Sequence, residues 1–141
     1  VTLNGAPFEP PDRTETPAGP IQWFADRSLR KNPQFPAYQS HFDIRFVGGA
    51  VMNGLQLMNQ PNSVYIKAPK KPLGGCAVWD LAAVVLMLEE CAGSAQVYDG
   101  SPLHLNRSES VFFNDVGLVL AGSGVEITGL LARVHALVSS T

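Results

Sequence analysis

Cysteine is scarce in this chain, and so are charged residues and long apolar runs. The two cysteines, Cys76 and Cys91, have no CxxC partner and no nearby pair of histidines. That argues against zinc and makes a reducing, cytoplasmic setting the expectation. Cys91 reads as a small apolar core residue. Charged residues make up 16% of the chain and the formal net charge is −2, so no bulk attraction to a nucleic acid polymer or an anionic membrane is expected. The longest apolar run, Leu81 to Leu88, falls far short of the roughly 20 residues a bilayer span needs. No charged-then-apolar leader opens the sequence, so export is not expected either.

What is present suits one globular domain. A chain of 141 residues, 45% of them apolar, can bury a sizeable core. Basic residues cluster at Arg27, Arg30 and Lys31, and again at Lys67, Lys70 and Lys71; such clusters are usually solvated surface. Val1 to Gly5 reads as the end of a structural element. Five prolines between Ala6 and Pro20 mark residues 1–20 as an extended connecting segment, because proline lacks the donor that ladders and helix interiors require.

From Ile21 onward the pattern becomes regular, and residues 21–141 read as one α/β unit. Ile21 to Ala25 is a short apolar strand, and Asn32 to Tyr38 holds at most a brief helix because of Pro33 and Pro36. Phe42, Ile44 and Phe46 alternate with Asp43 and Arg45, the period of a half-buried strand. Gly48 and Gly49 then turn the chain into a helix carrying Val51, Leu55 and Met58. Asn59 to Asn62 closes that helix and Ser63 to Lys67 is a further strand. Lys67 to Gly75 is a loop by its prolines and glycines. Trp79 to Cys91 is a helix stopped by Gly93. Ser94 to Tyr98 is a strand, Asp99-Gly100 a turn, and Leu103 to Leu105 a short extension. Gly117 to Ala121 is a buried strand, and Val125 to Val138 a terminal amphipathic helix. The sum is a layered sheet with covering helices.

Asp80 is the most informative position. It falls in the first turn of a helix whose next eight residues are apolar, where the partial positive charge of the helix terminus favours a carboxylate. Two readings stand side by side. Asp80 is either an N-terminal cap beside a buried Trp79, or a metal ligand held rigidly on the rim of a cleft. The three histidines, His41, His104 and His135, show no triad context and read as surface or half-buried residues. Gly122-Ser123-Gly124 is a lone GxG without a downstream acid, a poor dinucleotide signal.

Trp79-Asp80-Leu81-Ala82-Ala83, followed by Leu86-Met87-Leu88 and Glu90-Cys91-Ala92-Gly93, resembles the second signature of the inositol monophosphatase superfamily. Other segments fall into the same order. Gly48-Gly49-Ala50-Val51-Met52-Asn53 resembles the family's glycine turn and following helix. Asp99-Gly100-Ser101-Pro102-Leu103 resembles its Asp-x-x-Gly-x-Pro-Leu hairpin. Asn114 with Leu118 to Ala121 resembles its last strand, and Leu3-Asn4-Gly5 its Asn-Gly segment. The resemblance implies the carboxy-terminal half of a Mg²⁺-dependent phosphomonoesterase. Asp80 would be a ligand to Mg²⁺, and Gly48, Gly49 and Ala50 would line the substrate pocket. The substrate would be a small phosphorylated metabolite, inositol phosphate-like or a 3'-phosphorylated nucleotide; by their charge alone, Lys70 and Lys71 are its expected attractants.

The sequence also departs from the family. Ala92 stands where the family usually has glycine, a mild change at a helix end. Ala68 to Gly75 is an apparent insertion, and Leu73 occupies the place of a glutamate common in inositol phosphatases. Nucleotide-hydrolysing relatives show Ser-x-Ser-His and a lysine after the glycine turn, where this chain has Ser28-Leu29 and Met52. The family's Asp-Pro-x-Asp-Gly run, which supplies most of its metal-binding carboxylates, has no counterpart, since no Asp-Pro pair occurs. Magnesium needs several oxygen ligands, so one aspartate cannot assemble the site. The expected partner is therefore a missing amino-terminal half, with a homo-oligomer as a further possibility. Leu3, Phe8, Trp23 and Phe24 are the expected exposed apolar contacts. The alternative is a non-catalytic binding or assembly module on the same fold.

Overall fold

The computed structural model describes residues 2–9, 19–71 and 74–139. The expectations for Pro10, Pro11, Pro17 and Leu73 lie outside the described residues. Strand β1 (Thr2–Leu3) pairs with β2 (Ala6–Pro7) in an isolated antiparallel hairpin. Asn4 and Gly5 turn it with φ of 53° and 82°, the left-handed pair that a two-residue hairpin turn uses. Part of the expected extended connection is thus paired strand.

The main sheet has the order β4-β3-β5-β7-β6. It comprises β3 (Gln22–Phe24), β4 (Asp43–Arg45), β5 (Ser63–Lys67), β6 (Ser94–Val97) and β7 (Leu118–Ala121). Strands β4, β3 and β5 run parallel, and β7 and β6 complete the sheet antiparallel. Alternation along the central strands divides the core into two faces. Phe24, Tyr65, Leu118 and Leu120 face helices α2 (Ala50–Asn59) and α3 (Val78–Glu90). Trp23, Val64, Ile66, Val119 and Ala121 face α1 (Phe35–Gln39) and α4 (Ile127–Ser139). Helices on both faces explain why β7 is buried throughout and reads as an unbroken apolar run.

Several expectations need correction. Trp23 and Phe24 are 2% and 5% exposed, because β3 lies inside the sheet; neither is an open contact. Phe8 is partly buried against the α2/α3 side of the core, and the Leu3 side chain lies outside the described residues. Leu103 to Leu105 forms no strand; only Pro102 bridges to Gln96. The brief helix is α1, which starts three residues late behind a 3₁₀ turn at Arg27–Lys31. Trp79, expected to be buried, is 66% exposed. Helix α3 is apolar on both sides: Leu81, Val84, Val85 and Leu88 enter the core, while Trp79, Ala82, Ala83 and Leu86 form a second, exposed stripe at the same helical spacing. No helix among the described residues is long and apolar enough to cross a membrane.

The end of α3 explains the family departure at Ala92. Gly93 N–H donates to Leu88 O at 2.8 Å and Ala92 N–H to Glu89 O at 2.9 Å, the paired bonds of a Schellman motif. That motif needs its middle residue left-handed, and Ala92 has φ of 51°. An L side chain is strained there. Ala92→Gly is accordingly expected to stabilise the fold by about 0.5–1 kcal/mol, the relief outweighing glycine's greater unfolded entropy. A rise in the urea midpoint at unchanged m-value checks it; a fall would show the strain to be absent.

Candidate active site

The parallel strands β4, β3 and β5 end at the same edge of the sheet, the place where ligands bind in open α/β folds. Asp26 lies two residues beyond the end of β3, Lys67 is the last residue of β5, and Gly48 and Gly49 lead from β4 into α2. The loop after Lys67 returns the chain to the start of α3, where Asp80 sits. These segments enclose a cleft of about 460 Å³ lined by Asp26, Gly49, Ala50, Met52, Lys67 and Asp80, with Cys76 in its wall. Gly49 and Ala50 thus meet Asp80 across one cavity. The Gly48 carbonyl is turned to the Asn53 side chain, which donates to it at 3.0 Å.

Asp80 realises the capping reading. Its Oδ2 accepts the Ala77 N–H at 3.0 Å, closing the first turn of α3. The same carboxylate lines the cleft, so cap and ligand-facing group coexist in one side chain.

Asp26 escaped the sequence reading. It belongs to no motif, and a single acid after a short strand looks like surface. Its Oδ2 accepts Lys67 Nζ at 3.0 Å, and the Tyr65 hydroxyl donates to both carboxylate oxygens at 3.2 Å. Asn53 Nδ2 approaches Oδ1 at 3.4 Å. The only sequence signal for this cluster was Lys67 itself, a cation closing an otherwise buried strand. Burial first, then the neighbouring Asp26 carboxylate, hold the Tyr65 phenol far above its usual range. Lys70 and Lys71 lie outside this cleft, lining with Pro69 and Asp115 a separate hollow of about 380 Å³. The three histidines are exposed, and His135 rests edge-on against Tyr98.

The fit to magnesium is incomplete. Among the described residues no three His, Cys, Asp or Glu side chains gather. Asp26 is occupied by Lys67, Tyr65 and Asn53, and one Asp80 oxygen is occupied by its own helix. An ion needing near-octahedral oxygen coordination is not held by these residues alone.

Comparison with solved structures identifies the fold. An inositol monophosphatase from Anabaena (Nostoc) superposes with a TM-score of 0.62 at 18% identity, over 96% of this chain and 52% of that one. The fold is the inositol monophosphatase fold. A staphylococcal IMPase-II superposes with a TM-score of 0.59 at 17% identity, both with 2'-AMP bound and with inositol monophosphate bound, over 96% of this chain and 50% and 51% of those chains. The chain spans about half the length of the solved structures it matches. No family model and no curated protein sequence matches it.

The cleft wall also has a pH consequence. Burial above all pushes the Cys76 thiol from 9.0 up to about 11. The raised value means the fold favours the neutral thiol. Its contribution to stability is complete below the unfolded value and is lost as pH rises from 9.0 towards about 11. The Tyr65 phenol shifts in the same direction. Urea midpoints are therefore expected to be flat near neutrality and to fall above pH 9.0, less steeply in Cys76→Ala. An alkaline limb identical in the two proteins would refute the assignment to Cys76.

Proposed function

We propose that the chain is the carboxy-terminal half of a Mg²⁺-dependent phosphomonoesterase acting on a small phosphorylated metabolite. The observation that carries this reading is one cleft, within the inositol monophosphatase fold, that brings Asp80 against the Gly49-Ala50 turn. The open turn lets a ligand approach the backbone closely, and α2 begins behind it without a side-chain cap, leaving amide donors for an anion. The staphylococcal neighbour accepts both 2'-AMP and inositol monophosphate. That range supports a phosphate monoester of a polyol or a nucleotide as the substrate class here. In this reading residues 1–20 connect the two halves. Asp80 supplies one oxygen ligand to a Mg²⁺ whose remaining carboxylates come from the amino-terminal half.

A second reading, a non-catalytic binding or assembly module, draws support from the same scarcity of free carboxylates. Activity separates the two. The isolated chain is expected to show no Mg²⁺-dependent hydrolysis of phosphate monoesters. The enzyme completed by an amino-terminal half is expected to be active, and to lose activity by orders of magnitude in Asp80→Asn. The amide retains the cap to Ala77 N–H, so thermal stability should hold while turnover falls. Undiminished turnover at saturating Mg²⁺ would reduce Asp80 to a cap.

The proposed contact with another half, or with a second copy, falls on the outer stripe of α3. Trp79 and Leu86 are 66% and 61% exposed there, and Val51 and Met52 of α2 are exposed as well. Exposed apolar surface drives association where it is extensive enough. The purified chain is expected to self-associate with rising concentration in light scattering, and Leu86→Glu to shift it towards monomer. A wild-type chain that stays monomeric at high concentration would count against an interface on this face.

A further inference from the structure

Residues 98–117 carry the chain from β6 to β7 with only isolated bridges for regular structure, a connection longer than the roughly 12–15 residues ordinary for such loops. Side-chain contacts nevertheless hold it in place. Arg107 donates through both terminal nitrogens to the two Asp115 oxygens, at 3.1 and 2.6 Å, and its guanidinium lies 5.7 Å from the centre of the buried Phe113 ring. A forked pair of this kind fixes direction as well as distance. The Arg107 side chain is only 15% exposed, so solvent screens the pair less than it would on an open surface. The clasp brackets Val111 to Phe113, which run antiparallel beside Cys76 to Val78. Val78 N–H donates to Val111 O and Phe113 N–H to Cys76 O, both at 2.9 Å, and Trp79 meets Phe112 edge-on. Ala77, in the middle of this ladder, donates its own N–H to the Asp80 carboxylate at 3.0 Å. The charged clasp and the cleft carboxylate are two ends of one run of hydrogen bonds.

We infer that Arg107 is a positioning residue for Asp80: its forked pair with Asp115 holds Val111 to Phe113 against Cys76 to Val78, and that ladder fixes the start of α3 from which Asp80 faces the cleft. Arg107 itself does not line that cleft. Its effect passes through the backbone of the β6–β7 connection, so a charge pair outside the cavity sets the place of a carboxylate within it. The inference rests on the phosphatase reading only for why the place of Asp80 matters to a reaction. Its test reads amide exchange and no activity, so the two fail separately.

The test is amide hydrogen exchange by NMR on the full chain, without metal or ligand, in Arg107→Gln, Asp115→Asn and the double variant. The Ala77, Val78 and Phe113 amides are expected to exchange at least about threefold faster in each variant, while the amides pairing β5 with β7 keep their wild-type rates. The double variant is expected to match the single ones, because all three remove the same interaction. Acceleration by one common factor in the β5 and β7 amides as well would reduce the clasp to a contributor to global stability and overturn the inference. So would accelerations that add up in the double variant, or a Ala77 rate that stays at the wild-type value while Val78 and Phe113 speed up, since the clasp would then hold the loop and not Asp80. If Arg107→Gln does not fold, Asp115→Asn decides alone: it breaks the same pair from its exposed side and leaves the Arg107 stem on Phe113.

Discussion

The pairing of β5 with β7 is the constraint on which the rest of this structure depends. Each strand carries apolar side chains to both faces: Tyr65, Leu118 and Leu120 one way, Val64, Ile66, Val119 and Ala121 the other. A sheet apolar on both sides cannot stand in water, so helices must cover each face. The crossover helix α2 joins the parallel strands β4 and β5, and α3 follows it on the same side. The chain endings that this arrangement leaves at one edge are those of β3, β4 and β5. Asp26, the Gly48-Gly49 turn and Lys67 meet there because of sheet topology, although they are far apart in sequence.

Sequence patterning made part of this visible. The alternation of Phe42 to Phe46, the glycine turn, and the Asp80 helix stopped by Gly93 all register local backbone preferences, which act over a few residues and can be read from them. The left-handed residue of the Schellman ending was not readable: the glycine signal falls on Gly93, whereas Ala92, one residue earlier, takes the positive φ. The solvent face of α3 was not readable, because the helix carries two apolar stripes and periodicity cannot say which one the core takes. Asp26 was invisible for a different reason. Its role comes from Tyr65 and Lys67, some forty residues away, and nothing near it in the chain marks the acid as anything but surface.

The structural neighbours share 17–18% of residues with this chain, a level at which architecture persists while pocket chemistry drifts. The drift here is specific. Met52 and Leu29 are apolar at positions where nucleotide-hydrolysing relatives carry a cation or an imidazole. Asp26 adds a negative charge nearby. Gly49, Ala50 and Asp80 line one cleft behind which α2 and α3 begin.

One contact behind the cleft has a mechanical meaning. Gly54, midway along α2, lies so close to α3 that a methyl group there would run into the Val84 side chain. Helices in such contact have no room to slide or roll past each other without a clash. The glycine turn sits at the amino terminus of α2 and Asp80 at the amino terminus of α3, so the two helices act as the fixed arms of a caliper with Gly54 as its rivet. The gap between the jaws is set by a buried interface remote from any ligand. Opening or closing of this cleft therefore does not come from the arms sliding past each other.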